Sequence, residues 1–383
     1  PANRMDAEAK DRDSRASNRQ LLLGAQSEIE LFDGRWKPRV AVSFTDHDRK
    51  ISDPPASVQG FDNSGTFDGG RLKLEVLNDL HLQPNQVTTL GAETERETVK
   101  AFSIGSGSKT HDAVRTSALF AQHQLSFFDD RFVGALGGRL EHHDEFGSEL
   151  TYRLAGAYVD PRFGTRIHAT LATGFKAPSL ADELFLPFFG NEDLDPERTR
   201  GWEIGVDHPL LDGRLRVGST YFQNRTRDLI EFMQVDAQTF RAFNVRRAKA
   251  DGFETFVDLR LERIRVRIDH TYTMAEDRET RADLLRRPSH QVQARLELRP
   301  MDRLTVTSSV QYVGKRKDVG AVPPFGRKTL GGYTVSRVTA DLEVRPGVVL
   351  FGRIENLFDK DFQDPDGFEN PGLAGFIGVR LAF

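Results

Sequence analysis

No cysteine occurs in the 383 residues, so a disulfide framework, a thiolate metal site and a cysteine nucleophile are all excluded. Such a chain suits passage through an oxidising periplasm. Also missing is any run of about 18 consecutive apolar residues, which a membrane-spanning helix requires. Hydrophobic residues make up only 38% of the chain and mean hydropathy is -0.49, so a helical membrane protein is excluded. A transmembrane β-barrel is still allowed, because each strand shows only every second side chain to lipid. Charge of one sign is lacking too. The 53 basic and 57 acidic residues nearly cancel, leaving a formal charge of -4 and no basic footprint for nucleic acid. The start, Pro1-Ala2-Asn3-Arg4-Met5-Asp6, has no basic segment followed by an apolar one, so no signal peptide is seen. A secreted barrel needs one, and the expectation is an N-terminus that is truncated or processed.

What is present is a period of two. Residues 1–18 are polar, charge-rich and aperiodic, and read as an extracellular loop or a disordered start. Beyond them, Ser27, Ile29 and Leu31 alternate with Gln26, Glu28 and Glu30. Across Asp33-Gly34-Arg35, Val40, Val42 and Phe44 alternate with Arg39, Ala41 and Ser43, as in a hairpin. The pattern recurs to the end of the chain. Ile264, Val266 and Ile268 alternate with Arg263, Arg265, Arg267 and Asp269; Val292, Ala294, Leu296 and Leu298 alternate with Gln291, Gln293, Arg295, Glu297 and Arg299. One face is apolar and the other heavily charged, and helical periodicity of any length is missing.

The breaks alternate between short and long. Short ones fall near Asp33-Gly34, Gln83-Pro84-Asn85, Asp129-Asp130, Asp160-Pro161, Leu211-Asp212-Gly213, Glu262-Arg263, Pro300-Met301-Asp302 and Arg345-Pro346-Gly347. Between them lie longer polar stretches, such as 51–64, 103–112, 177–196, 277–287, 315–332 and 358–372. Transmembrane barrels have this asymmetry, with tight periplasmic turns on one rim and long extracellular loops on the other. The segments number about 17. An odd count is not that of a closed single-chain bacterial barrel, so further strands are expected upstream. A soluble β-sandwich also alternates, but with shorter strands. Here many stretches reach the about 9–11 residues needed to cross a bilayer at a tilt. Aromatics such as Phe127-Phe128, Tyr152, Tyr158, Tyr221-Phe222, Tyr272, Tyr312 and Tyr333 stand near segment ends, where interfacial girdles lie. The reading is an all-β, antiparallel transmembrane β-barrel over 19–383.

From about residue 170 a series of ordered motifs appears: Ala172-Thr173-Gly174-Phe175-Lys176-Ala177-Pro178-Ser179-Leu180; Asn191-Glu192-Asp193-Leu194-Asp195-Pro196-Glu197 with Trp202-Glu203-Ile204-Gly205; Phe243-Asn244-Val245; Gly252-Phe253-Glu254; Arg287-Pro288-Ser289-His290; and Tyr312-Val313-Gly314-Lys315-Arg316. The last is Asn356-Leu357-Phe358-Asp359-Lys360-Asp361-Phe362, followed by Gly367-Phe368, Pro371-Gly372 and a strand ending in Phe383. In this order the motifs resemble those of the TonB-dependent outer-membrane receptor family, of the siderophore- or cobalamin-receptor type. Residues 1–170 fit by architecture. Phe362 stands where that family often has tyrosine, and Leu373 where it often has arginine, which bears on the subfamily.

The resemblance implies a 22-stranded barrel, of which this sequence holds about 17 strands, with a separate N-terminal plug carrying the TonB-contacting segment. It implies an importer rather than an enzyme, without a resident cofactor. The implied partners are outer-membrane lipid, the TonB complex through the plug, the barrel assembly machinery, and a ligand such as an iron-siderophore, cobalamin, haem or a saccharide. The competing functions are a passive porin, which would have no plug, and a barrel-embedded enzyme, for which no serine or aspartate constellation is found. Ser289-His290 is no triad, because neighbours on an extended chain diverge.

Several residues are candidates for specific roles. Ile377, Val379, Leu381 and Phe383 form the apolar face of the last strand and resemble an assembly signal. Arg263, Arg265, Arg267, Arg295 and Arg299 form a lumenal charged row, read as a wall against a plug or water in preference to a guide for an anionic ligand. Phe185, Phe188, Phe189, Glu192 and Asp193 are a candidate ligand rim, against the simpler reading of a loop packing on itself. The acidic run Asp359, Asp361, Asp364, Asp366 and Glu369 lacks calcium-loop spacing and reads as a solvated loop. His142 and His143, adjacent on an extended segment, point to opposite faces, which weakens shared metal ligation. No metal site is assigned.

Overall fold

The short breaks become tight turns because of what stands in them. Asp212-Gly213 and Asp33-Gly34 supply residues that accept left-handed backbone, with φ of 54° and 82° at the first pair and 55° and 78° at the second. The computed structural model describes residues 15–53, 64–104, 107, 109–180, 191–234, 240–320, 326–368 and 370–382. Among them run the strands β1 (Arg15–Glu28), β2 (Trp36–Ser52), β3 (Gly65–Gln83), β4 (Gln86–Ser103), β5 (Lys109–Phe127), β6 (Phe132–His143), β7 (Gly147–Val159), β8 (Arg166–Lys176), β9 (Glu197–Leu210) and β10 (Leu215–Gln234). They continue as β11 (Phe240–Arg260), β12 (Ile264–Asp277), β13 (His290–Met301), β14 (Leu304–Val313), β15 (Arg316–Val319), β16 (Arg327–Leu330), β17 (Tyr333–Arg345), β18 (Val348–Glu355) and β19 (Ala374–Leu381). Seventeen belong to one sheet, while β15 and β16 form a separate hairpin. The expected strand count is thus met by the main sheet. Strands such as β10 and β11, at 20 and 21 residues, are longer than the about 9–11 residues a bilayer crossing needs.

Three local expectations are corrected. Residues 15–18, read as loop, begin β1 and pair with 49–52 of β2. Ile29 and Leu31, read as strand, lie past the end of β1, because the chain already turns there and closes on a Leu31–Trp36 bridge. The stretch 315–332, read as an open polar loop, carries the β15–β16 hairpin, with Arg316 opposite Leu330 and Asp318 opposite Lys328.

The chain divides into two compact units, and β8 to β11 contribute residues to both. In the first, β1 to β7 form an antiparallel meander whose register sorts the side chains. Opposed residues share a face. Leu23, Phe44 and Leu72 are in register on β1, β2 and β3, and Leu119, Leu140 and Leu150 on β5, β6 and β7. All six are solvent-exposed, an arrangement no soluble core would choose. The opposite face is ionic. Glu75 lies across from Glu93, and that like-charge pairing is offset by Lys73, 2.9 Å from Glu93, and by Arg139, which bridges Glu93 and Glu141. Arg71 adds a 2.5 Å pair to Glu95.

The second unit repeats the scheme. Val257, Ile268, Ala294 and Val310 are in register across β11 to β14, and Leu342, Leu350 and Val379 across β17 to β19. One residue out of phase, Asp258, Arg267 and Arg295 share the other face. Gly252 is fixed by this pairing: a Cβ there would collide with the Tyr272 carbonyl on β12.

Candidate functional site

Alternation on β12 and β13 places Arg265, Arg267 and Arg295 on the polar face of the second unit, with Arg263 and Arg299 beside the turns. At their centre stands Asp258 of β11, only 2% exposed. Its carboxylate accepts from Arg260 at 2.6 Å and from Arg265 at 3.2 Å, and lies 3.9 Å from Arg267. Arg267 is shared with Asp269 at 2.7 Å, Arg299 donates to Glu297 at 3.1 Å, and Arg295 lies 3.8 Å from the same carboxylate. Arg263 turns to the Pro300 carbonyl and Asp302. Every arginine of the row therefore has a carboxylate within ion-pair reach. Positive charge paired in this way exerts a weaker field than free arginines would.

A second cluster gathers the long connections of that unit. Asp318, fully buried on β15, accepts from Arg286 Nε and the Val319 amide through Oδ1, both at 2.8 Å, and from the Asp366 amide through Oδ2 at 2.9 Å. Burial pushes this carboxyl up. The Asp366 amide, the Arg286 guanidinium and the Val319 amide outweigh it, so the pKa is held below the ordinary carboxylate value. Two residues back on the same face of β15, buried Arg316 pairs with Asp364 at 3.0 Å and lies over the Tyr333 ring. Tyr333 donates to Asp364 at 2.7 Å and stacks on Phe362 at 4.1 Å. Lys328 holds Asp366 at 2.7 Å, and Asp359 accepts the Leu373 amide at 2.7 Å. The described members of the acidic run named here thus tie loops together. No group of three or more metal-ligating side chains occurs among the described residues.

In the first unit, the polar residues of two motifs tie one another down. Asn191 donates to the Ala242 carbonyl at 2.9 Å. Asn244 accepts the Asp195 amide at 2.8 Å and donates to the carbonyls of Asp195 and Asp228 at 2.9 and 2.7 Å. Leu194 is buried between these anchors in sequence, and Glu197 pairs with Lys176 at 3.0 Å. That leaves Glu192 and Asp193 exposed on the segment so fixed. Phe185, Phe188 and Phe189 lie outside the described residues. Trp202 belongs to β9, in the second unit. His142 and His143 turn to different neighbours: His142 bonds Ser148 Oγ, while His143 is buried against Phe146.

On β19, Ile377, Val379 and Leu381 line up on one face, opposite Gly352, Leu350 and Val348, and are strongly exposed; Phe383 lies outside the described residues. Farther along the apolar face of the second unit, aromatic rings form a belt. Trp202 meets Tyr221 at 5.2 Å, Tyr221 meets Phe253 at 5.2 Å, Phe253 is in register with Tyr272, and Tyr272 contacts His290 at 4.9 Å. Sequence reasoning picked out Tyr221 and Tyr272 but missed the belt's continuity, and missed Asp258, Asp318 and Arg286, whose importance arises only from pairing between strands and loops.

A family model described as the β-barrel of TonB dependent receptor-like proteins matches residues 2–357. It takes in the first 170 residues, where no motif was found. Several solved structures share the fold. The siderophore receptor PirA from Acinetobacter baumannii is 17% identical, with a TM-score of 0.75 over 96% of this chain and 63% of its own. The copper transporter OprC is 15% identical, with a TM-score of 0.81 over 97% and 66%. A mutant of the ferric enterobactin receptor PfeA from Pseudomonas aeruginosa is 19% identical, with a TM-score of 0.76 over 96% and 62%. The chain spans just under two thirds of the length of each. With the family model covering nearly the whole sequence and the same antiparallel fold in these structures, the chain belongs to the TonB dependent receptor-like β-barrel family.

Proposed function

We propose that this chain is the wall and loop portion of an outer-membrane receptor that binds a scarce, bulky ligand from outside and imports it with energy delivered through TonB. The observation that carries the reading is the two-faced sheet of a receptor-family chain: exposed aliphatic side chains with an aromatic belt on one face, ion pairs on the other. Lipid is the solvent that such a face fits. The long connections form the outer rim, and the ionic face lines a lumen closed in the whole receptor by a plug within a barrel of about 22 strands. The Asp258-centred arginine row would then brace the wall against that plug. Ile377, Val379, Leu381 and Phe383 would serve as the signal for the assembly machinery.

Ferric siderophores are the first ligand class to test, since two of the similar folds are receptors for such compounds; cobalamin and haem come next. The experiment deletes the gene in its source bacterium and measures uptake of radiolabelled ferric siderophores, cobalamin and haem, with a tonB deletion in parallel. Loss of uptake of one ligand in both strains supports the receptor. A full-length protein that conducts ions constitutively in planar bilayers, with no TonB-dependent uptake of any of these ligands, would make it a porin.

A further inference from the structure

Beyond the aromatic belt, on the same face of the β11–β12 pair, lies an open cavity of about 450 Å³. Register places it. Phe253 pairs with Tyr272 in the belt, Asp251 pairs with Met274 two residues nearer the long connections, and Lys249 pairs with Glu276 two residues beyond that. All of the last four line the cavity. At about 3.3 Å per residue, its floor therefore starts about 7 Å past the belt and reaches about 13 Å, foreshortened by strand tilt. A headgroup layer is about 5–8 Å thick on each side of the hydrocarbon. With the rings at the boundary, tilt brings the near end of the cavity to headgroup depth and leaves its far end just outside.

Its charge is unbalanced toward the positive. Lys249 and Asp251 neutralise each other at 2.7 Å, and Glu276 is taken by Arg281 at 3.1 Å. Arg287, Lys315 and Lys317 also line the cavity, from the loop before β13, the residue before β15 and β15 itself. Lys317 donates to Thr329 at 2.9 Å, and neither Arg287 nor Lys315 has a carboxylate partner among the described residues. Arg316 lines the cavity too but is paired with Asp364, so three cations are left facing the single remaining carboxylate, Asp283. Exposed Met274 at the cavity's inner edge offers an apolar contact to whatever enters from the belt side.

We infer that this cavity binds the phosphate headgroup of an anionic membrane lipid, with Arg287, Lys315 and Lys317 as its ligands and the lipid chains lying along the aromatic belt. Fixed cations at the end of an apolar wall suit a molecule that is anionic at one end and apolar at the other, and guanidinium and ammonium groups are the common phosphate binders. The inference rests on the reading that the apolar face meets lipid.

The test uses the full-length receptor in micelles of a neutral detergent. Phosphatidic acid and diacylglycerol, which differ only in the phosphate, are titrated in and retained lipid is read by native mass spectrometry, with inorganic phosphate and glycerol 3-phosphate as soluble probes. Phosphatidic acid should be retained over diacylglycerol, and Arg287→Gln/Lys315→Gln/Lys317→Gln should lose about tenfold or more of that preference. Heat-modifiable migration of the variant, read separately, reports the barrel itself, so failure of the cavity and failure of the lipid-facing reading are distinguishable. Equal retention of the two lipids, an undiminished preference in the folded variant, or equally tight binding of the soluble phosphates would overturn the inference.

Discussion

Asp258 Oδ1 accepts from Arg265 Nε at 3.2 Å, across the turn that joins β11 to β12. The carboxylate is almost wholly buried, whereas Arg260, Arg265 and Arg267 around it are about half exposed, at 53%, 45% and 41%. Removing the acid leaves Arg260 and Arg265 without a carboxylate beside Arg267, which keeps Asp269, although water can still reach their heads. Asp258→Ala should therefore lower stability by about 2 kcal/mol, toward the lower end of what breaking a charged hydrogen-bonded cluster costs. Asp258→Asn, which keeps one acceptor, should cost less. Urea unfolding in detergent micelles, followed by tryptophan fluorescence, measures both; midpoints that match the parent would show that the wall does not depend on this carboxylate.

That relationship marks the limit of what the sequence displays. The alternation of Ile264, Val266 and Ile268 with Arg263, Arg265 and Arg267 is visible in the chain, because a strand's two faces differ every second residue. Which residue of β11 comes to lie opposite Arg267 is a matter of register between strands, and no local pattern encodes it. Asp318 illustrates the same limit over a greater span. Its burial depends on a hairpin within a stretch read as open loop, and on the amide of Asp366, 48 residues away. Seven of the eight short turns were legible because Gly, Asp and Pro announce themselves locally; Glu262-Arg263 has none of these and was marked only by the alternation that follows it.

Gly252 offers a test of register itself. Since a Cβ at this position would run into the Tyr272 carbonyl, Gly252→Ala forces β11 and β12 apart beside the aromatic belt. The expected cost is about 1–3 kcal/mol. In semi-native electrophoresis the heat-modifiable band should melt at a lower temperature than that of Gly174→Ala, where nothing lies near the new methyl group. Equal melting of the two would mean that the strands tolerate the separation.

Asn244 holds its loop through three hydrogen bonds, to Asp195 twice and to Asp228 once. An alanine leaves the backbone groups to find water, and the loss should be about 1–3 kcal/mol, confined to that region. Hydrogen exchange read at the Asp195 amide should accelerate in Asn244→Ala, with no change at the Val319 amide in the other unit. Uniform acceleration would point to global unfolding instead.

The Asp318 cluster predicts a pH dependence of definite sign. The folded pKa is lowered, so the carboxylate contributes stability that is fully present above its ordinary value of about 3.9 and is lost as pH falls through the folded value. Between neutrality and about pH 5 the hairpin should be insensitive. Below that, the amides of Val319 and Asp366, which donate to the carboxylate, should lose protection together. Asp318→Asn should abolish the acid transition at these two amides; its persistence would assign the transition to another group.

The face assignment can be tested by charge placement. Leu119, Leu140 and Leu150 lie in one line across β5, β6 and β7, each at least half exposed, at 65%, 50% and 64%. Against lipid, Leu140→Arg must bring a cation into hydrocarbon, and the cost is about 2–4 kcal/mol near the midplane. Against water the same change is close to neutral, because an exposed arginine solvates freely. Glu141→Arg, one residue on, places its charge on the opposite, ionic face, where its main effect is to remove one partner of Arg139. Folding into bilayers should therefore suffer more from Leu140→Arg than from Glu141→Arg, and the difference should vanish when both variants are unfolded in urea without lipid. The reverse ranking in bilayers would mean that the ionic face, with its Lys73, Glu93 and Arg139 network, is the one turned toward the membrane.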